Sequence, residues 1–295
     1  MLRKNAVGLE RRMDNEYFAL ALPALVIYAL GMLLPLAIGF WFSLTDWTGL
    51  TRDMNFIGLG NYKALFANPR FFKSLGFTLK FVFWNTLIQN VLALLFALAL
   101  DSGIKAKNLY KTIIYVPCLL SPILIGYLWN RLFAQIYPGL LPFLDPRAIN
   151  LLAKPDTVLG GILIINNWQW IGYWMLIYLA ALQAVPREMY EAASIEGAGA
   201  IRRFGAVTLP MIMPAVTINV VAITLGGFQV YELIITATGG GPGHASESFI
   251  MYVYNQAFAN QRAAFASANS MVYVVFLLVV AALQVRALRK REVQA

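Results

Sequence analysis

Six stretches of the chain, near residues 17–44, 74–100, 108–134, 158–184, 207–236 and 264–288, are apolar over lengths that a soluble domain has little use for. A bilayer core about 30 Å thick takes roughly 20 apolar residues of helix per crossing, and each stretch meets that length. Lipid offers no partner to backbone N–H and C=O groups, so only helices or closed barrels can cross it. The alternation over about ten residues that marks a barrel strand is missing. The expected fold class is an all-α membrane protein with about six transmembrane helices. Hydrophobic residues make up 60% of the chain and charged residues 13%, which leaves too little polar surface for a soluble domain.

A net charge of +9 would suit a nucleic-acid partner if the basic residues formed one patch. They gather instead at the ends of the apolar runs: Arg3, Lys4, Arg11 and Arg12 before the first, Arg286, Arg289, Lys290 and Arg291 after the last. The positive-inside rule then puts both termini in the cytoplasm, together with the connections at 101–107 and 185–206. Those connections and their flanks hold Lys105, Lys107, Lys111, Arg187, Arg202 and Arg203, while the outer connections at 45–73, 135–157 and 237–263 carry basic residues at lower density. Residues 1–16 read as a cytoplasmic N-terminal segment, 17–288 as the transmembrane domain and 289–295 as a cytoplasmic tail. The run at 17–44 is too long for the apolar part of a signal peptide and reads as a retained span. The one cysteine, Cys118, excludes an intrachain disulfide or a cysteine metal cluster. Pro117 and Pro122 should kink the third helix, and Pro23 and Pro35 can do the same in the first.

Polar side chains within such spans face other helices or a wet cavity. The fourth run holds Asn166, Asn167, Trp168, Gln169 and Trp170, with Tyr173 and Trp174 a turn later, and helical spacing puts Asn166, Gln169, Trp170 and Tyr173 on one face. Amides beside flat rings suit the hydroxyl edges and C–H face of a sugar. The competing reading is that the amides bond neighbouring helices and the rings fill volume. The fifth run adds Thr224, Gly226, Gly227, Gln229, Tyr231 and Glu232. Glu232 could pair with a partner, touch substrate, or sit at the outer interface. In the second run Asn85 and Gln89 share one face and Thr86 and Asn90 an adjacent one, all read as bonds between helices. Lys80 and Arg131 are the basic residues well inside spans, both toward the outer side, so a strongly anionic solute is not the first expectation.

The inner connection at 185–206 carries helix signals of its own. Pro186 suits a first helical position, Glu188 and Glu191 favour a helix N-terminus, and Gly197 and Gly199 allow a turn before a second short helix through Arg202 and Phe204. Helix four enters this loop through Gln183 and Pro186, and Pro210 joins it to helix five. Two short helices with small Ala192 and Ala193 fit a groove on a soluble partner, or else lie against lipid headgroups.

The spacing Glu191-Ala192-Ala193, three residues, Gly197, nine residues, Val207, one residue, Leu209-Pro210 resembles the EAA loop of permease subunits of binding-protein-dependent ABC importers, with valine at 207 where isoleucine is usual. Phe56-Ile-Gly-Leu-Gly-Asn-Tyr62 and Gly239-Gly-Gly-Pro-Gly243 are similar to the maltose, glycerol-phosphate and multiple-sugar type. Without that likeness the glycine run reads as a flexible turn. The resemblance implies the type I importer permease fold and a pore-forming subunit of an ATP-driven carbohydrate importer in a bacterial or archaeal plasma or inner membrane. It further implies a second homologous permease subunit, two ATPase subunits, and an extracytoplasmic solute-binding protein that delivers sugar. Glu191, Ala192, Ala193, Gly197, Arg202 and Arg203 would couple to the ATPases. Asn166, Gln169, Trp170, Tyr173, Thr224, Gln229, Tyr231 and Glu232 would line the substrate pathway. No phosphate-binding loop occurs in the sequence, so ATP and magnesium would belong to the partner ATPases and this chain would hold no cofactor of its own. Alternatives are a permease for another small solute such as a glycerol phosphodiester, or an autonomous secondary carrier. The carrier would usually show an internal repeat and a charged site at mid-bilayer. An intramembrane enzyme would need a nucleophile and base in adjacent spans, whereas the single histidine, His244, falls in an outer loop.

Overall fold

The computed structural model describes residues 20–50, 52–140 and 150–289, so the expected N-terminal segment at 1–16 and all of the tail beyond Arg289 lie outside the described residues. Within those limits the structure is helical, and the single extended pairing is an antiparallel bridge between Thr45 and Phe56. Helix α1 (Leu20–Ser43) is one unbroken apolar span. After α2 (Gly60–Phe66) comes α3 (Pro69–Asp101), at 33 residues the longest span. The third apolar run is split into α4 (Lys107–Leu119) and α5 (Pro122–Leu140), which meet at 97°. Next are α6 (Val158–Gln183), α7 (Arg187–Ile195), and the pair α8 (Ala200–Met211) and α9 (Met213–Phe228), bent by 70°. The chain ends with α10 (Glu232–Ala237), α11 (Phe249–Tyr254) and α12 (Ala263–Arg289).

Helices α1, α3 and α12 are long and apolar enough to cross a bilayer unbroken, and each bent pair has the length and composition of either a broken span or a re-entrant loop. The 26-residue α6 has no charged residue and is long enough to cross at about 1.5 Å per residue. Its hydropathy is lowered by Asn166, Asn167 and Gln169, the residues that make it functionally interesting. The described helices thus give three unbroken candidate spans, or five with each bent pair taken as one, and α6 has the length of a sixth.

Both breaks have local causes. At the first, Val116–Leu119 is a 3₁₀ turn containing Pro117, Leu120 is extended, and Pro122 opens α5 without needing an N–H partner. The carbonyl of Leu120, outside any helical ladder, accepts a 3.0 Å hydrogen bond from Gln169 Nε2 on α6. The kink expected from the two prolines is therefore a full break. At the second, Pro214 in the first turn of α9 has no N–H to return to the previous helix, and the chain turns at Ile212. The fifth apolar run is thus not the single helix joined directly to the inner loop that Pro210 suggested. It is a bent joint, and it ends again at Gln229 before α10.

The described residues form two compact units, one made of those from Leu20 to Ala67 with Gln256–Val272, the other of those from Asn68 to Asn255 with Tyr273–Arg289. In the first, Asn61, almost fully buried, donates to the carbonyls of Ser43 (2.9 Å) and Thr45 (2.7 Å), while Tyr62 Oη bonds Ser43 Oγ at 2.7 Å. These bonds satisfy carbonyls that the end of α1 leaves open. Asn61 and Tyr62 thus help to terminate α1. In the loop that follows α1, N–H groups from the backbone and then the side chain of Asn55 hold the Asp46 carboxyl below its ordinary value.

The second unit is built on α3 against α6. Ala93, Ala97 and Leu100 pack on Met175, Tyr178, Leu179 and Leu182, and Val207, Ile212 and Ala215 complete the same cluster. Small residues allow this closeness, as membrane helices require when no water drives them together. Tyr178 Oη donates to Asn90 Oδ1 at 2.6 Å, so one polar bond registers the two helices inside the apolar contact.

Candidate functional site: a polar cavity and an inner helix pair

A cavity of about 590 Å³ lies in the second unit between α3, α6 and the junction of α9 with α10. From α6, Asn166, Trp170 and Trp174 reach it at intervals of one helical turn, both indoles half-buried. Gly226, Gly227, Gln229, Tyr231 and Glu232 reach it from the α9–α10 junction, where the helix ends at Phe228 and resumes at Glu232. Gly227 lets that segment approach α3, since a Cβ there would sit 3.2 Å from Val82. Gly226 faces open space.

Asn85 and Gln89, assigned from sequence to bonds between helices, line the cavity and also make such bonds. Asn166 Nδ2 donates to Asn85 Oδ1 at 2.8 Å, and Gln89 Nε2 donates to the carbonyl of Asn166 at 3.3 Å. Asn85 Nδ2, Gln89 Oε1 and Asn166 Oδ1 have no hydrogen-bond partner among the described residues. The two amides four residues apart on α3 were the signal that could have placed them here. A sugar needs this mixture, with donors and acceptors held in place and flat rings beside them.

Five of the eight residues expected on the pathway, Asn166, Trp170, Gln229, Tyr231 and Glu232, come together at this cavity. The other three do not. Gln169 is fully buried and supports the α4–α5 break. Tyr173 is 42% exposed and packs edge-on against Trp174. Thr224 turns to another face, bonding Thr86 Oγ1 at 3.2 Å and accepting from Gln284 Nε2 at 3.0 Å.

The inner connection folds as the helix pair the sequence predicts, with Pro186 as N-cap rather than first helical residue of α7. Glu191 and Ala192 are exposed, whereas Ala193 and Tyr190 pack onto the cluster that contains Val207. Gly197 has φ +75°, its N–H bonds Ser194 O at 3.0 Å, and the next N–H, of Ala198, bonds Ala193 O at 2.9 Å. This paired closure needs a left-handed residue after the helix, which explains the glycine. Arg203 donates to Ser194 Oγ at 3.2 Å and ties α8 to α7, while Arg202 is exposed. Ile195 and Ile201 are 88% and 91% exposed on either side of Gly197.

No atom lies within 4 Å of a Cβ at Gly197, so a substitution there meets only backbone strain. Gly197→Ala should destabilise the end of α7 by about 1–2 kcal/mol, and Gly197→Asn by less. Hydrogen exchange at the Ala198 amide measures this directly. Unchanged protection in the alanine variant would contradict it.

Residues 89–293 match the family model described as binding-protein-dependent transport system inner membrane component. The chain belongs to this permease family. Its relatives include a probable starch degradation products transport system permease protein, AmyD, of Thermoanaerobacterium thermosulfurigenes, 30% identical over 94% of this chain and 95% of the relative. The sn-glycerol-3-phosphate transport system permease protein UgpA of Agrobacterium fabrum is 32% identical over 80% of this chain and 82% of its own length. Among solved structures, a chain of a bacterial ABC transporter involved in import of the acidic polysaccharide alginate superposes with TM-score 0.79 at 20% identity, covering 97% of this chain and 99% of that one. The fold is that of type I ABC importer permeases. The permease is a multi-pass inner-membrane transport subunit.

Proposed function

We propose that this permease forms one half of the pore of an ATP-driven carbohydrate importer and passes sugar through the cavity between α3, α6 and the α9–α10 junction. The observation that carries the reading is the cavity lining: four amides and two half-buried indoles inside a largely apolar bundle. Several relatives bear the names of sugar permeases, which fits the same chemistry.

A second homologous permease completes the pore, two ATPase subunits hold ATP and magnesium, and a solute-binding protein delivers substrate from outside. Both termini are cytoplasmic. The pair α7–α8 couples to the ATPases through exposed Glu191, Ala192 and Arg202, with Ala193, Gly197 and Arg203 fixing its shape. Alternating access follows if ATP-driven closure moves this pair and, with it, α6 and the bent α8–α9 joint. Binding-protein docking then raises ATP turnover only by favouring one of two permease states.

Gly226 gives the test. Gly226 lines the cavity, and a Cβ there would meet no other atom within 4 Å. Gly226→Leu should leave complex assembly intact and cut sugar uptake by reconstituted complex at least about tenfold, a change of about 1.4 kcal/mol in the barrier. Uptake at the parental rate would remove the cavity from the pathway.

A further inference from the structure

Among the described residues, the cavity lining carries one charge: of the fifteen, Glu232 is acidic, and none is Lys, Arg or His. Glu232 is exposed at the start of α10; its carbonyl accepts from Thr236 Oγ1 at 2.7 Å, while its carboxylate has neither an ion pair nor a hydrogen-bond partner among the described residues. The basic side chains of the surrounding helices are placed elsewhere. Arg131 on α5 donates to Gln135 Oε1 at 3.0 Å, Lys80 on α3 is exposed, and Arg70 is committed to Glu247. An anionic solute would find no cation among the described lining residues and would meet a like charge beside a partly apolar wall.

We infer that Glu232 is a specificity-determining residue that selects neutral saccharides and rejects anionic ones. This rests on the reading of the cavity as the sugar pathway and narrows its substrate class. A neutral sugar gains from the same group, because hydroxyls can donate to a carboxylate in short, charge-assisted bonds while the ring lies on Trp170 or Trp174. A carboxylate or phosphate on the solute reverses the sign of that interaction, and like charges brought together at a binding surface are strongly disfavoured. The chain's likeness to permeases named for sn-glycerol-3-phosphate and for alginate import extends to the fold but does not bring a basic residue into this lining.

The test is equilibrium binding of two radiolabelled probes to the assembled permease–ATPase complex, without binding protein so that its own selectivity does not enter. One probe is a neutral glucose trisaccharide, the other the same trisaccharide oxidised to a uronic acid at one end. The parent should bind the neutral probe roughly a hundredfold more tightly. Glu232→Gln should bring the two affinities within about tenfold mainly by improving the acid's, and Glu232→Asp should keep the discrimination. Equal affinities in the parent, or an unchanged ratio in Glu232→Gln, would overturn the inference while leaving the sugar pathway standing. If neither probe binds, and Gly226→Leu also leaves uptake unchanged, it is the pathway reading that fails.

Discussion

Arg70→Ala should cost about 3–5 kcal/mol of stability, because it strands a buried carboxylate. Glu247 is 1% exposed and receives Arg70 Nε at 2.7 Å and Nη2 at 2.6 Å, the fork-to-fork geometry that only arginine supplies. Asn255 Nδ2 adds a third bond at 2.9 Å, and Arg70 Nη2 also donates to His244 Nδ1 at 3.2 Å. The pair joins the start of α3 to the segment after the glycine run. Ser246 Oγ donates to Gly241 O at 2.6 Å, and Thr238 Oγ1 lies 2.8 Å from Ser246 Oγ. The glycine run that reads as a flexible turn is hydrogen-bonded along its length, and the ion pair anchors one end of it.

The melting temperature of the purified complex reads this effect, with a fall of order 10 °C expected for Arg70→Ala. Arg70→Lys should recover only part of it, since a single ammonium cannot meet both carboxylate oxygens. Combining Arg70→Ala with Glu247→Leu should restore most of the loss, because removing both charges also removes the desolvated carboxylate. If the single variant melted with the parent, the pair would not be holding this loop.

What the sequence made legible followed from one-dimensional signals. Apolar length located the spans, Pro117 and Pro122 marked the break, and the spacing from Glu191 to Gly197 marked a helix and its terminator. The direction of a side chain was not legible in the same way. A membrane helix is apolar on most faces, so periodicity groups Gln169 and Tyr173 with Asn166 but cannot say which neighbour each meets. Gln169 serves a carbonyl freed forty-nine residues away, and Arg70 finds Glu247 across 177 positions. No local pattern encodes either pairing. Asn85 and Gln89 show the remaining ambiguity, for the same amides bond a helix and line a cavity.

Two glycines offer a matched comparison in which one substitution should have opposite effects. At Gly172, on the face of α6 that crosses the end of α4, an added Cβ would lie 2.7 Å from the carbonyl carbon of Ile114 and 2.7 Å from Tyr115 Cα, and would press on the Ile114 carbonyl oxygen more closely still. All three are backbone atoms, so no rotamer change can yield, and α4 and α6 must separate. Overpacking of this kind costs about 1–3 kcal/mol, and more where the backbone cannot shift. Separation would also stretch the Gln169–Leu120 bond less than one turn away and release the carbonyl it serves. At Gly226 a Cβ meets nothing within 4 Å, and its backbone is not left-handed. There alanine should be neutral or stabilise by up to about 1 kcal/mol, through reduced freedom of the unfolded chain. Thermal unfolding of Gly172→Ala and Gly226→Ala in the same complex decides the matter. The first should melt well below the parent and lose uptake with it, the second should not, and equal melting would mean that α4 and α6 do not cross at Gly172.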